Sequence, residues 1–474
     1  DLIGLDVMAH VNTNLYEALP QDESRELLKA PSVTGLIKEM VERGWLGNKV
    51  GQGFYKRVEE DGRKEFWPLN LRTLEHEPPT KVRFESVGAY RKLEPVGARI
   101  KAMAEADDRA GEYIRNTLYN RLAYASRRIP EIADTLVAID KAIKWGFGHE
   151  LGPFEEWDAL GVPDSVERME RAGFEVAGWV KEMLSAGCET FYQYRGGVPV
   201  GYYDLAARDY VPLERRPKEI KVSFLFSEGK AVEENEDAAL LDLGDGIALF
   251  EWHTKARTLT PGVVEMSRRA ISRLEADFDG LVVGHDGDLF SGGANLDMMA
   301  LQQQAAQRGI TPAEVVEGLV NDMQQMMLSF RYAPGPVVTA PFDRALGGGA
   351  ELSMAGDRIV AHAELYIGLV EVGVGLIPAA GGCKERLRRV VTPVQRTPNA
   401  DPLPVLSRVF ETIGFGKVAT SAEEAREMGF LGPCDRIVVN RDHLIYEAKR
   451  EARHMYDSGY RPPLPEKIYA AGRD

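Results

Sequence analysis

Residues 345–357 read ALGGGAELSMAGD: three consecutive glycines, one small residue, then a glutamate opening an amphipathic segment. The apolar run PVVTA at 336–340 comes just before, so the order expected is strand, glycine turn, helix start. Such a turn leaves backbone N–H groups bare at a helix N-terminus, where the dipole favours negative charge. A phosphate is the first ligand to consider. It fails on two counts: no G-x-x-x-x-G-K-[ST] pattern exists and no G-x-G-x-x-G follows a strand, while Glu351 would repel a phosphate seated on those amides. The alternative is an oxyanion that develops only in a transition state, held by amides and attended by a carboxylate. A second small-residue turn, LFSGGANLDMM at 289–299, follows the apolar strand GLVVGHDG and offers another donor.

The elements that carry these turns belong to an α/β texture beginning near Lys221. AALLDLGDGIALFEW (238–252) predicts a hairpin around Gly-Asp-Gly, and GVVEMSRRAISRLEADF (262–278) predicts a helix with one apolar face. TPAEVVEGLVNDMQQMMLSF carries a capping box, with Thr311 at N-cap, Pro312 at N1 and Glu314 at N3. Ser421 caps a further helix in SAEEAREMGF. Strands alternating with helices imply parallel strands. The first two hundred residues read instead as helical, interrupted by a charged, Pro-containing stretch at 59–100 that reads as a linker. DLIGLDV and LGNKVGQGFY in the first helical block, LGPFEEWDALGV and GCETFYQY in the second, suggest a duplication.

Composition narrows the class. The 474 residues exceed one ordinary core, and 44% hydrophobic with 28% charged content is that of a soluble globular chain. A formal net charge of −15 argues against nucleic acid as partner, and no apolar run is long enough for a membrane span. Three dispersed cysteines and eight scattered histidines form neither a disulfide framework nor a metal-ligand spacing, so no metal is expected and a reducing cytoplasm fits. The chain opens without Met inside an apolar run, which suggests a fragment of a longer polypeptide.

DLFSGGANLDMM, the stretch from PVVTAPFDRALGGGAELSMAGD to GLIPAAGG, and SAEEAREMGF together resemble the crotonase (enoyl-CoA hydratase/isomerase) superfamily over roughly 236–440. DLIGLD, LGNKVGQGFY and LGPFEEWDALG resemble the duplicated C-terminal helical domain of 3-hydroxyacyl-CoA dehydrogenases. The order of the two resembles bacterial β-oxidation fusion proteins of a FadN-like branch, with the NAD-binding domain missing. The fold class implied is α/β multidomain: an all-α duplicated dehydrogenase C-terminal domain followed by a crotonase-type ββα superhelix. The expected boundaries are 1–100 (first repeat and linker), 101–220 (second repeat), 221–440 (crotonase domain) and 441–474 (a helical segment stopping short of the family's end).

Carried over by position, the resemblance implies an oxyanion hole from the N–H groups of Ala294 and Gly348, and two catalytic glutamates, Glu351 and Glu371. Retention of both glutamates favours hydration of a trans-2-enoyl-CoA: Glu351 deprotonates water for attack at C3 and Glu371 delivers a proton to C2. A one-glutamate Δ3–Δ2 isomerase and a non-catalytic acyl-CoA-binding module are the rival readings. Contacts to CoA are implied for Lys255, Arg257 and Gly292. Lys384, Arg386, Arg388 and Arg389 offer cations to a CoA phosphate, but a solvated helix face explains them better. Asn295 stands where the family usually has Asp, and the Gln-rich LQQQAAQRG lengthens the segment between the two turns. The expected substrate is an acyl-CoA thioester. No cofactor is expected for hydration and NAD only in an intact parent protein, with a homo-oligomer or a thiolase as partner and no dehydrogenase activity from this chain.

Overall fold

The computed structural model describes residues 1–60, 62–295, 303 and 305–468; the end of the LFSGGANLDMM motif and half of LQQQAA lie outside them. The chain divides into two compact units, Asp1–Glu182 and Met183–Asp474.

The first unit is mainly helical, with helices that include Leu5–Ala18, Pro31–Glu42, Arg109–Arg127, Leu136–Phe147 and Pro153–Leu160. Asp108 and Thr135 cap two of them by accepting from Gly111 and Ala138 amides. One device occurs twice. The Asp1 carboxylate accepts from the amides of Phe54 and Tyr55 at 2.9 and 2.8 Å, and the Asp140 carboxylate from those of Phe154 and Glu155 at 2.9 and 3.2 Å. In both places a glycine, Gly53 or Gly152, lets the aspartate approach the chain.

The linker expected at 59–100 is instead built structure. Strands β1 (Tyr55–Glu60) and β2 (Arg63–Asn70) form an antiparallel hairpin, β3 (Glu75–His76) adds to β2, and helices Glu85–Tyr90 and Val96–Glu105 follow. The charges that suggested a linker sit on a solvated ribbon, while Leu69 of the same hairpin joins Leu5, Ile37 and Met40 in a small core.

The helical reading of the first two hundred residues holds as far as helix Gly178–Ser185, after which strands follow. Strands β4 (Tyr192–Arg195), β5 (Val198–Asp204) and β6 (Asp209–Pro212) form an antiparallel sheet in the second unit. Gly196 and Gly197, both at positive φ, make the β4–β5 turn, a Gly-Gly hairpin signal that the sequence does carry.

The main sheet of the second unit has seven strands, in the order β16-β13-β11-β10-β9-β8-β7. They are β7 (Ala231–Glu234), β8 (Ala238–Asp242), β9 (Ile247–Trp252), β10 (Gly280–Val283), β11 (Val337–Thr339), β13 (Arg358–His362) and β16 (Arg436–Val438). β9, β10, β11, β13 and β16 run parallel, and β8 and β7 close the edge antiparallel. The central strands are buried on both faces, hence near-continuous apolar runs such as GLVV. A second sheet joins β12 (Arg344–Leu346), β14 (Tyr366–Gly368) and β15 (Val418–Ala419).

The hairpin at 238–252, the helices Pro261–Asp277 and Pro312–Arg331, the Thr311 capping box and the Ser421 cap all stand where their residues predict. Helix Leu444–Asp457, expected as part of a separate C-terminal segment, buries Leu444, Ile445, Ala448 and Ala452 in the core of the main sheet. Among the described residues no helix is long and apolar enough to cross a membrane.

Asp140→Ala strands two amides in the interior of the first unit. It is expected to cost about 2–4 kcal/mol in urea denaturation, with Asp140→Asn recovering part of the loss.

Candidate active site

The two turns singled out in the sequence meet. Residues 291–294 are stitched on both sides: Leu259 N–H donates to Gly293 O at 2.9 Å, Ser291 N–H to Arg344 O at 2.9 Å, and Leu346 N–H to Ser291 O at 3.0 Å. The Ser291 hydroxyl bridges Arg257 O and the Gly293 amide, at 2.8 and 3.1 Å. On the other side Gly347, at φ 54° and ψ −121°, turns the chain from β12 into helix Gly348–Ala355, a conformation essentially confined to glycine. Gly349 allows the close approach: a β-carbon there would lie 2.7 Å from Ser291 Cβ.

This brings the Ala294 and Gly348 amides together. A β-carbon built on Gly348 would stand 3.3 Å from the Ala294 nitrogen. The neighbouring amides are committed, Gly347 to Gly368 O, and Ala350 and Glu351 to Gly347 O. Among the described residues, neither Ala294 N–H nor Gly348 N–H donates to a carbonyl. Two adjacent uncommitted donors at a helix start form an anion site of the kind that a developing oxyanion needs.

Glu351 lies one turn into a helix all eight of whose residues are buried. Its Oε1 accepts from Gly382 N–H at 2.7 Å, at the start of helix Gly382–Arg386. Burial dominates and pushes its pKa up to about 7; the Gly382 amide opposes this and the Glu371 charge reinforces it. Glu371 opens the 3-10 turn Glu371–Val374, and a β-carbon on Gly347 would stand 3.5 Å from its Oε1. Both Glu371 oxygens are buried and accept no hydrogen bond from any described residue, and burial raises its pKa too. The four principal candidates, Ala294, Gly348, Glu351 and Glu371, therefore share one locality.

The CoA candidates differ among themselves. Lys255 is exposed, but the Arg257 guanidinium turns inward, donating to Trp252 O and lying against Gly287. Gly292 N–H is already given to Ala256 O at 3.1 Å. The basic run 383–391 is neither a solvated face nor an open phosphate cradle. Arg386 is 1% exposed and stacks on Phe430, while Arg388 and Arg389 pair with Glu385, and Arg389 also with Asp435. Part of that run is a π-helical turn, Leu387–Val391. Sequence reasoning missed Gly382 as the partner of Glu351, although the Gly-Gly pair before CKER is a helix-start signal. It also missed Cys383, whose thiol is pushed up by burial and by both glutamates. Among the described residues no group of three metal-ligating side chains occurs.

The enoyl-CoA hydratase/isomerase family model matches residues 246–395, and the C-terminal half of the chain carries a crotonase-fold domain behind a helical N-terminal region. A Bacillus subtilis protein named "Probable 3-hydroxyacyl-CoA dehydrogenase" is 40% identical over 476 residues, covering 100% of this chain and 57% of its own length. A Rickettsia felis protein named "Putative fatty acid oxidation complex trifunctional enzyme" is 27% identical over 82% of this chain and 48% of its own. The chain thus spans about half the length of these relatives. Among solved structures, an enoyl-CoA hydratase from Bacillus anthracis aligns with 47% of this chain and 78% of its own, at 24% identity and a TM-score of 0.38.

A carboxyl whose folded pKa is raised from 4.5 to about 7 holds a proton that the unfolded chain has lost. Its stabilising contribution is full below pH 4.5 and disappears as pH rises through 7, an effect on the order of 3 kcal/mol. Glu351→Gln is expected to flatten the fall in thermal stability between pH 5.5 and 8 and to raise the melting temperature at pH 8.

Proposed function

We propose that the second unit hydrates a trans-2-enoyl thioester of coenzyme A to the 3-hydroxyacyl thioester. The observation that carries this is the convergence of a pinned carboxylate, Glu351, and one with no partner among the described residues, Glu371, on the turn that bears the Gly348 amide. The thioester oxygen accepts from Ala294 and Gly348 N–H, and those bonds strengthen as the enolate forms. Ionised Glu351 takes a proton from water as its oxygen bonds to C3, and protonated Glu371 gives its proton to C2. Water's O–H is thereby added across the double bond, and the carboxyls regain their starting states by proton exchange. A pKa of about 7 suits a base working near neutrality.

The relationship to the Bacillus subtilis protein along the whole chain supports a second part of the proposal. The helical unit belongs to the C-terminal region of a 3-hydroxyacyl-CoA dehydrogenase, the activity that consumes the hydration product in fatty-acid β-oxidation. NAD would supply the hydride acceptor for such a step. The strands of the first unit are antiparallel, so its described residues form no parallel strand–turn–helix to cradle a dinucleotide, and no redox step is assigned to it.

The test is to supply crotonyl-CoA and follow loss of the conjugated thioester absorbance. Hydration is expected, with Glu351→Gln and Glu371→Gln each lowering kcat at least about a hundredfold. Isomerisation of a 3-enoyl-CoA without hydration would replace this reading by the isomerase, and turnover unchanged in both variants would remove the glutamates from it.

A further inference from the structure

A groove of about 430 Å³ opens on the three-stranded sheet of the first unit, within a sequence of elements that the proposed hydration does not use. Trp67 lies on β2, the middle strand. Lys56 of β1 pairs directly opposite Trp67 and shares its face, as does Val58 two residues on. Arg57 also lines the groove, although alternation along β1 turns it, with its partner Phe66, to the opposite face; Glu75 of β3 lines the groove too, and Glu65 accepts from Trp67 Nε1–H at 3.0 Å. Among the described residues neither Lys56 nor Arg57 forms an ion pair, in a chain whose formal net charge is −15.

The far end of the groove is polar and fixed. His76 of β3 sits on the same face and packs edge-to-face with Trp45, ring centroids 5.2 Å apart. Its Nε2–H donates to Gly53 O at 2.9 Å, which leaves Nδ1 as an acceptor facing the Gln52 amide at 3.5 Å. From one edge to the other, the groove therefore presents the Lys56 cation, an aromatic plane with Glu65 at its edge, and a side-chain amide beside an imidazole and the Glu75 carboxylate.

We propose that this groove binds an adenine nucleotide. The base stacks on Trp67, where Val58 and Leu74 complete an apolar bed. Gln52 reads the base edge, its carbonyl accepting from the exocyclic amine and its NH2 donating to the adjacent ring nitrogen. Lys56, beside Trp67 on the same face and without an ion-pair partner among the described residues, holds the phosphate. A free adenine mononucleotide and the nucleotide end of coenzyme A share this chemistry. The inference is independent of the hydratase reading, since no residue of the groove belongs to the second unit.

The experiment is calorimetric titration of the full chain with AMP, IMP and CoA. AMP is expected to saturate in the range of roughly 0.1–1 mM, weakening as salt is raised. Trp67→Leu and Lys56→Glu should each weaken it at least about tenfold while leaving crotonyl-CoA turnover unchanged. IMP, which lacks the amine, should bind about tenfold more weakly than AMP. A CoA site lost in Trp67→Leu and tighter than the AMP site identifies the thioester's nucleotide end as the occupant; a Trp67-dependent AMP site that CoA does not share identifies the free nucleotide. If neither AMP nor CoA binds in a Trp67-dependent manner, the proposal is overturned, and equal binding of IMP and AMP overturns the adenine assignment.

Discussion

Two glycine-bearing turns approach each other so closely that backbone meets backbone, and the arrangement around Glu351 rests on that approach. With Ser291 stitched to β12 on one side and the 293–295 segment running beside Leu259 on the other, the Ala294 amide has little freedom. Gly349 faces Ser291 at a distance no side chain tolerates, and Gly347 takes a backbone conformation that other residues avoid. The glycines serve contact and direction here. They bring two bare N–H groups side by side at a helix start, a geometry that a flexible loop would hold only at an entropic cost.

The electrostatics follow from what surrounds that pair. Burying Glu351 in an all-buried helix raises its pKa, and backbone amides, that of Gly382 foremost, limit the rise. The helix bearing that amide continues into the basic run, where Arg388 and Arg389 are tied to Glu385 and Asp435. Cations that look like a ligand cradle thus anchor the element that positions a carboxylate. Glu371 has no such partner among the described residues, and a buried acceptor left unsatisfied is costly. The large apolar core of the second unit offsets that cost, and strained or unsatisfied groups of this kind concentrate at functional sites.

Much of the second unit is legible because its signals are local. The Thr311 capping box, the Ser421 cap, the Gly-Asp-Gly hairpin and the strand–glycine–helix order each involve residues within a few positions of one another. The first unit misleads at 59–100 because a two-stranded ribbon with one solvated face is as charged as a linker, and the alternation that marks it is short. The strands after Tyr192 carried a Gly-Gly turn signal that the surrounding helical pattern outweighed.

Residue types and spacing alone were enough to establish that a glutamate follows a glycine turn, that no phosphate loop is present, and that a second small-residue turn exists. Those are properties of adjacent atoms, set by sterics and by charge. Which amides face each other, which carboxylate is pinned and which left bare, and whether Arg257 or Arg386 reaches solvent depend on segments far apart in the chain. Only packing brings those segments within hydrogen-bond range or excludes water between them. Composition and spacing contain neither distance nor dielectric, and it is those two quantities that turn Glu351 from a first-turn glutamate into a group poised near neutrality.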